Sequence, residues 1–186
     1  VTHMTDKLTV VVSRYNEDTQ WLNNIQGHKI IFNKGNKIAD NCIALPNIGR
    51  ETHTLCHYLY NFYDELNDYT LFLQGNPFEH MHCVNDLYAF IEHFETADEV
   101  MGLGIYMSDA YHLNSIKKIE DYLNIDKKTN MFYTNSQYLI PRKNIVKRNR
   151  EFYKKLLELH YADVADVVIP DVPWVLERMW WNMFKN

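Results

Sequence analysis

The chain has no run of apolar residues approaching the roughly 18 that span a bilayer, and no charged-then-apolar leader ahead of its first apolar stretch. The expectation is a soluble protein acting in the cytoplasm. Cysteine is scarce: Cys42, Cys56 and Cys83 are an odd number at unrelated spacings without a C-x-x-C pair. That excludes a disulfide framework and offers no zinc pattern, so all three read as small core fillers. Positive charge is in deficit. With 19 Lys and Arg against 24 Asp and Glu, the formal charge is −5, which argues against general nucleic-acid binding but leaves room for a local cation cluster around a phosphate. Internal repeats, low-complexity tracts and linkers are missing. His53 and His57 lie one helical turn apart with no Glu between them, so the His-Glu-x-x-His metalloprotease pattern fails and both are expected to pack or cap locally.

What is present is enough for one core. At 186 residues and 46% hydrophobic, a single domain over residues 4–186 is expected, with Val1-Thr2-His3 read as a cloning remnant ahead of Met4. Leu8-Thr9-Val10-Val11-Val12 is too apolar for a one-sided strand and predicts one buried on both faces. A short helix through Trp21 and Leu22 and a second buried strand, Lys29 to Phe32, complete an opening βαβ unit. Cys42 to Leu45 is a third short strand. Apolar positions Leu55, Tyr58, Leu59 and Phe62 mark a helix from Arg50, Tyr69 to Leu73 a strand, and Leu87 to Phe94 a helix. Strands over Glu99–Tyr106 and Gln137–Ile140 follow, with helices over Ile116–Leu123, Asn149–His160 and Pro173–Phe184. This alternation predicts an α/β fold with a mixed, mainly parallel sheet flanked by helices.

In open α/β sheets the ligand crevice lies beyond the carboxyl ends of the strands. Three strands here end in polar sequences: Ser13-Arg14-Tyr15-Asn16-Glu17, Asn33-Lys34-Gly35, and Gln74-Gly75-Asn76-Pro77-Phe78-Glu79-His80. Asn47-Ile48-Gly49-Arg50-Glu51 adds a cation at a helix start, where unsatisfied N–H groups favour an anion. Arg14, Lys34 and Arg50 thus converge on one diphosphate in this reading. Each segment has an ordinary alternative as a turn or cap; their agreement carries the argument.

The order of these motifs, with Gln137 to Arg142, Phe152-Tyr153 and Glu177-Arg178-Met179-Trp180, resembles a widespread family first catalogued as a domain of unknown function. That family is similar to GT-A glycosyltransferases, including small domains encoded by large chlorella viruses, and the resemblance covers Leu8 to Phe184. It implies a GT-A-like fold, a UDP-sugar donor such as UDP-glucose, a glycan or glycoprotein acceptor, and, for a viral protein, action in the host cytoplasm. In the usual pattern a strand ends in Phe-Leu-Asp-x-Asp. Here it reads Phe72-Leu73-Gln74-Gly75-Asn76, with carboxamides at both acid positions. A Mn²⁺ or Mg²⁺ ion should then bind weakly alone and depend on the diphosphate. Asn76, Glu79 and His80 are its candidate ligands; Glu79 and His80 alternatively start the next helix.

Donor binding is expected of Val12, Ser13, Arg14, Asn16, Asn33, Lys34, Arg50, Gln74, Gly75 and Asn76. The Val12–Asn16 turn and Asn33 would hold uracil and ribose, and the three cations with the metal would stabilise the departing diphosphate. Asp171, ahead of a late helix, is the first candidate for the base that takes the acceptor proton, and equally reads as a helix cap. Glu177 and Asp109 are its rivals. Trp174, Tyr106 and Tyr111 are candidates to stack on sugar, whereas Trp180 and Trp181 at helical spacing read as core. Two other classes stay open: a non-catalytic nucleotide-sugar or glycan-binding module, and a metal-dependent phosphodiesterase, which the shortage of carboxylates at strand ends disfavours.

Overall fold

The computed structural model describes residues 7–81, 84–126, 128–165 and 167–185, and of His80, Val84 and Asn85 the backbone alone. The first four strands are β1 (Leu8–Arg14), β2 (His28–Asn33), β3 (Cys42–Ala44) and β4 (Tyr69–Gln74). Four shorter ones follow: β5 (Met101–Gly102), β6 (Tyr106–Ser108), β7 (Met131–Tyr133) and β8 (Tyr138–Pro141). The helices are α1 (Arg50–Asn61), α2 (Val84–Glu92), α3 (Leu113–Leu123), α4 (Arg142–Ile145), α5 (Arg150–Glu158), α6 (Val172–Glu177) and α7 (Trp180–Lys185). Six strands form one sheet in the order β3-β2-β1-β4-β8-β5, and β6 pairs with β7 in a small separate sheet. β3, β2, β1 and β4 run parallel, while β8 is antiparallel to both its neighbours. Among the described residues no helix is long and apolar enough to cross a membrane.

The apolar strands are explained by cover on both faces. Side chains alternate along a strand, so Val11, Ile30, Phe32, Phe72 and Ile140 enter one buried cluster beneath α1, α5, α6 and α7. Val10, Val12, Leu71, Leu73 and Leu139 enter a second beneath α2 and the 3₁₀ turn at Gln20–Asn24. Each such side chain stabilises the fold by roughly 1.5–3 kcal/mol relative to exposure. Helix α1 contributes Leu55, Cys56, Tyr58 and Leu59, all nearly inaccessible, and Leu59→Ala would cost about 2–5 kcal/mol. Helix α5 starts at Asn149, whose Oδ1 accepts from the Phe152 amide at 2.9 Å.

Two expected elements divide. The strand anticipated over Glu99–Tyr106 splits into β5 and β6, which belong to different sheets. The break falls at Gly104, packed so closely on Thr134 that a Cβ would lie 2.1 Å from its carbonyl oxygen. The helix anticipated over Pro173–Phe184 becomes α6 and α7, because Arg178 and Met179 donate to residues three back rather than four. Trp180 and Trp181 are core as expected, and β7 and α4 were not legible from periodicity. Because β1, β2 and β4 are parallel and in register, Arg14 lies beside Asn33 and Ser13 beside Gln74, bringing three polar strand ends together.

Candidate functional site

A cleft of about 300 Å³ opens at that rim, lined by Ser13, Arg14, Tyr15, Glu17, Lys34, Asn47, Arg50, Glu51, Gln74, Asn76 and Glu79. Seven of these were picked out by sequence. Tyr15, Glu17, Asn47 and Glu51 were not, although the first two stand inside a strand-end motif and the other two in the segment that opens α1. Its volume sits at the lower end for small-molecule sites.

The loops after β1 and β2 interlock. Gly35 lies so tightly on Tyr15 that a Cβ would fall 1.3 Å from the Tyr15 carbonyl oxygen. Asn16 Oδ1 accepts from the Lys37 amide at 2.8 Å and Asn16 Nδ2 donates to Asn36 Oδ1 at 3.1 Å. Arg14 ties the two loops from beneath, its Nη1 donating to Asn33 Oδ1 (2.7 Å) and the Lys37 carbonyl (3.0 Å) and its Nε to the Glu17 carbonyl (2.8 Å). Asn33 therefore faces Arg14 and its own loop and is not among the cleft-lining residues. The Glu17 carboxylate accepts from the Tyr15 and Asn16 amides at 2.6 and 3.1 Å. It rests against Gly75, where a Cβ would come within 2.4 Å of Oε2. Val12 is fully buried below the turn, and Ser13 Oγ bonds Thr54 Oγ1 at 2.8 Å.

Lys34 is held as firmly. Its Nζ donates to the carbonyls of Ile48 (2.6 Å) and Arg50 and to His53 Nδ1 at 3.1 Å. All three protons are thus engaged in holding the start of α1. Burial pulls the ammonium pKa down to about 8, against the opposing charge of Glu51. Since an ammonium only donates, His53 Nδ1 accepts and its Nε2–H donates to the Tyr161 hydroxyl at 2.9 Å. Burial and the Lys34 charge hold the His53 pKa down to about 3, and burial holds that of His160 to about 4. Gly49, at φ 62°, fits because a Cβ there would lie 2.3 Å from the His160 ring.

Arg50 is the exposed cation of the cleft. Its backbone has φ 51°, unusual for a side-chain-bearing residue. The guanidinium lies 4.3 Å from the centre of the half-exposed Trp174 ring and 3.6 Å from Glu51 Oε2. Glu51 Oε1 accepts from Gln74 Nε2 at 3.1 Å, and the Gln74 amide donates to Gln137 Oε1 at 3.0 Å.

Among the described residues no three His, Cys, Asp or Glu side chains gather to hold a cation. Asn76 and Glu79 are adjacent: Asn76 Nδ2 donates to Glu79 Oε1 at 3.1 Å, while Asn76 Oδ1 caps the 3₁₀ turn at Pro77–His80 through the Phe78 amide. One carboxylate and one amide oxygen are a fraction of an octahedral shell, the kind that phosphate oxygens and water complete. A divalent cation there would take most of its oxygen ligands from outside the protein. The His80 side chain lies outside the described residues.

Of the proposed bases, Asp109 is bidentate to Arg178, with Oδ2 at 2.7 Å from Nη2, and serves that ion pair. Asp171 is exposed, has φ 54° and makes no capping bond through its side chain, and none of the three candidates is among the cleft-lining residues. Glu177 is half-buried. Desolvation raises its pKa, the Arg178 charge and a hydrogen bond from the Asn135 backbone oppose this, and both Glu51 and Arg50 act on it.

These features define an α/β protein with a polar cleft across the carboxyl ends of parallel strands. The chain belongs to the family described as "Protein of unknown function (DUF3431)", which matches residues 9–108 and so includes every cleft-lining residue. No curated protein matches the chain.

Proposed function

We propose that the chain is a GT-A-like glycosyltransferase that moves a sugar from a UDP-sugar to a glycan acceptor. The observation that carries this reading is the convergence of Arg14, Lys34 and Arg50 with the carboxamides Gln74 and Asn76 in one cleft. A mixed, mainly parallel sheet with its polar cleft at the strand ends is the architecture that the GT-A resemblance calls for.

In the reaction the acceptor oxygen bonds to the anomeric carbon as the bond from that carbon to the diphosphate oxygen breaks. Its electron pair leaves with the diphosphate, and the acceptor proton passes to the Glu177 carboxylate. A raised pKa suits that group to receive it. Arg50 meets the departing charge directly, whereas Lys34 and Arg14, bonded inward, supply a fixed positive potential. Asn76 and Glu79 would hold a divalent cation, which when bound supplies charge neutralisation of the leaving diphosphate. Trp174, half-exposed beside Arg50, would stack on a sugar face.

The test is a melting-temperature panel of UDP, GDP and CMP with and without Mn²⁺. Selective stabilisation by UDP with metal is expected, and a flat response to all three nucleotides removes the donor site. Asn76 is satisfied by its own neighbours, which favours a second reading as a non-catalytic binding module. UDP release from UDP-sugars in the presence of glycan acceptors separates the two; stabilisation by UDP without release selects the module.

A further inference from the structure

A second charged region lies at the far end of α1. From Arg142 to Arg150 the sequence places five cations and no carboxylate in nine residues, in a chain of formal charge −5. The segment is anchored from below. Asn144 and Ile145 are fully buried; Asn144 Nδ2 donates to the Phe184 carbonyl at 2.9 Å and Tyr153 donates to the Ile145 carbonyl at 2.6 Å. The Tyr63 hydroxyl donates to the Arg148 carbonyl at 2.7 Å. Among the described residues Arg142, Lys143 and Lys147 make no ion pair.

The turn into α5 frames a cavity of about 330 Å³ lined by Leu123, Lys147, Arg148, Asn149, Glu151, Phe152 and Lys155. Three cations face one carboxylate, and Glu151 has its own partner in Lys154 at 3.5 Å. The Arg148 guanidinium lies 5.3 Å from the centre of the Phe152 ring. Its Nε is buried and has no hydrogen-bond partner among the described residues. A buried donor left unpaired is unfavourable until an acceptor arrives. Asn149, itself lining the cavity, caps α5 there by accepting from the Phe152 amide through Oδ1.

We propose that this cavity binds a phosphate group borne on an organic molecule, with the Arg148 guanidinium, Lys147 and Lys155 around the phosphate oxygens and Leu123 and Phe152 against the attached carbon chain. The twelve residues of α1 span about 18 Å, and the two sites sit at its opposite ends, so neither depends on the other.

The experiment is an NMR titration of the isotope-labelled protein with inorganic phosphate, following the Arg148 Nε–H and the Arg150 and Glu151 amides. Saturable shifts at these positions are expected. Lys147→Gln with Lys155→Gln should weaken them about tenfold or more. Arg148→Met, which keeps a stem on Phe152, should abolish them, and Arg50→Ala in the cleft should leave them unchanged. An unmoved Arg148 Nε–H, or equal affinity in the double variant, overturns the proposal. Pelleting with phosphatidylcholine vesicles only when phosphatidic acid is included, lost in the double variant, assigns the phosphate to a lipid headgroup. Shifts with glycerol 3-phosphate and no pelleting assign it to a soluble ester.

Discussion

The two ends of helix α1 carry similar numbers of cations and use them in opposite ways. At the cleft end Arg14 and Lys34 are turned inward onto carbonyls, Asn33 and His53, and Arg50 alone reaches outward. At the other end Lys147 and Arg148 are fixed by a buried backbone but have few partners for their charge. A basic residue in a sequence therefore does not announce a ligand contact. The same charge braces a loop or recruits an anion according to whether backbone carbonyls reach it first.

Carboxylates sharpen the contrast most. Glu177 feels the cleft charges and has its pKa raised by burial, whereas Glu151 in the basic cavity is matched with Lys154. On the glycosyl transfer proposed above, Glu177→Gln should reduce turnover by roughly 10²- to 10⁴-fold, the usual effect of removing a general base. Glu151→Gln and Asp171→Asn should leave transfer near wild type. Retained turnover in Glu177→Gln would return the base to Asp171.

Acid comes next in size. His53 and His160, both near the start of α1, have folded pKa values of about 3 and about 4 against an ordinary 6.5. Both are kept neutral by the fold, so the unfolded chain takes up protons first as pH falls. Their stability contribution is complete above pH 6.5 and is lost on descent toward the folded values. At pH 5 each should have lost about 2 kcal/mol, at 1.36 kcal/mol per pH unit. Urea denaturation at pH 7 and pH 5 measures the sum, and His160→Gln should halve the difference. An unchanged midpoint would mean that the cleft end is wetter than its hydrogen bonds imply.

How far this was readable from residues alone divides along the same line. The parallel centre of the sheet followed from Leu8–Val12, Lys29–Phe32 and Tyr69–Leu73, because a strand buried on both faces must be apolar throughout. The cleft followed from three polar strand ends, since parallel strands in register bring their ends together. Side-chain direction was not legible. Nothing in Asn33-Lys34-Gly35 says that Lys34 will point at the Ile48 and Arg50 carbonyls, because those partners lie about fifteen residues away and meet it only through the sheet. Glu17 and Glu51 stood in the right motifs, yet their places against Gly75 and Gln74 depend on contacts between separate loops. The basic run from Arg142 to Arg150 was visible as composition, but only the orphaned Arg148 Nε gives it chemical direction.

Neutralising one lysine at each end tests the comparison head-on. Lys34→Met strips partners from two carbonyls and His53, at about 1–3 kcal/mol each, while recovering about 3 kcal/mol of desolvation from the depressed pKa. A net loss of about 3 kcal/mol is expected, against about 0.5 kcal/mol or less for Lys147→Met. The wild type should also gain stability between pH 8 and 10.5 relative to Lys34→Met. The folded state sheds the Lys34 proton before the unfolded state does, so its burial penalty fades as pH rises. Equal losses in the two variants would erase the distinction between bracing and recruiting cations.

The smallest effect falls on the one cleft cation that does reach outward. Arg50 stacks on Trp174, a contact at a half-exposed site worth about 0.5–1 kcal/mol. Trp174→Ala should therefore lower stability by about 1 kcal/mol or less. Freed from the ring, the guanidinium would keep its charge but lose its fixed direction, so UDP affinity should drop only a few-fold where Arg50→Ala lowers it about tenfold or more. Calorimetric titration of UDP into both variants measures the ratio. A Trp174→Ala effect as large as that of Arg50→Ala would mean that the indole itself touches the nucleotide, and that the outward-reaching arm of the cleft is the Arg50–Trp174 pair rather than the cation.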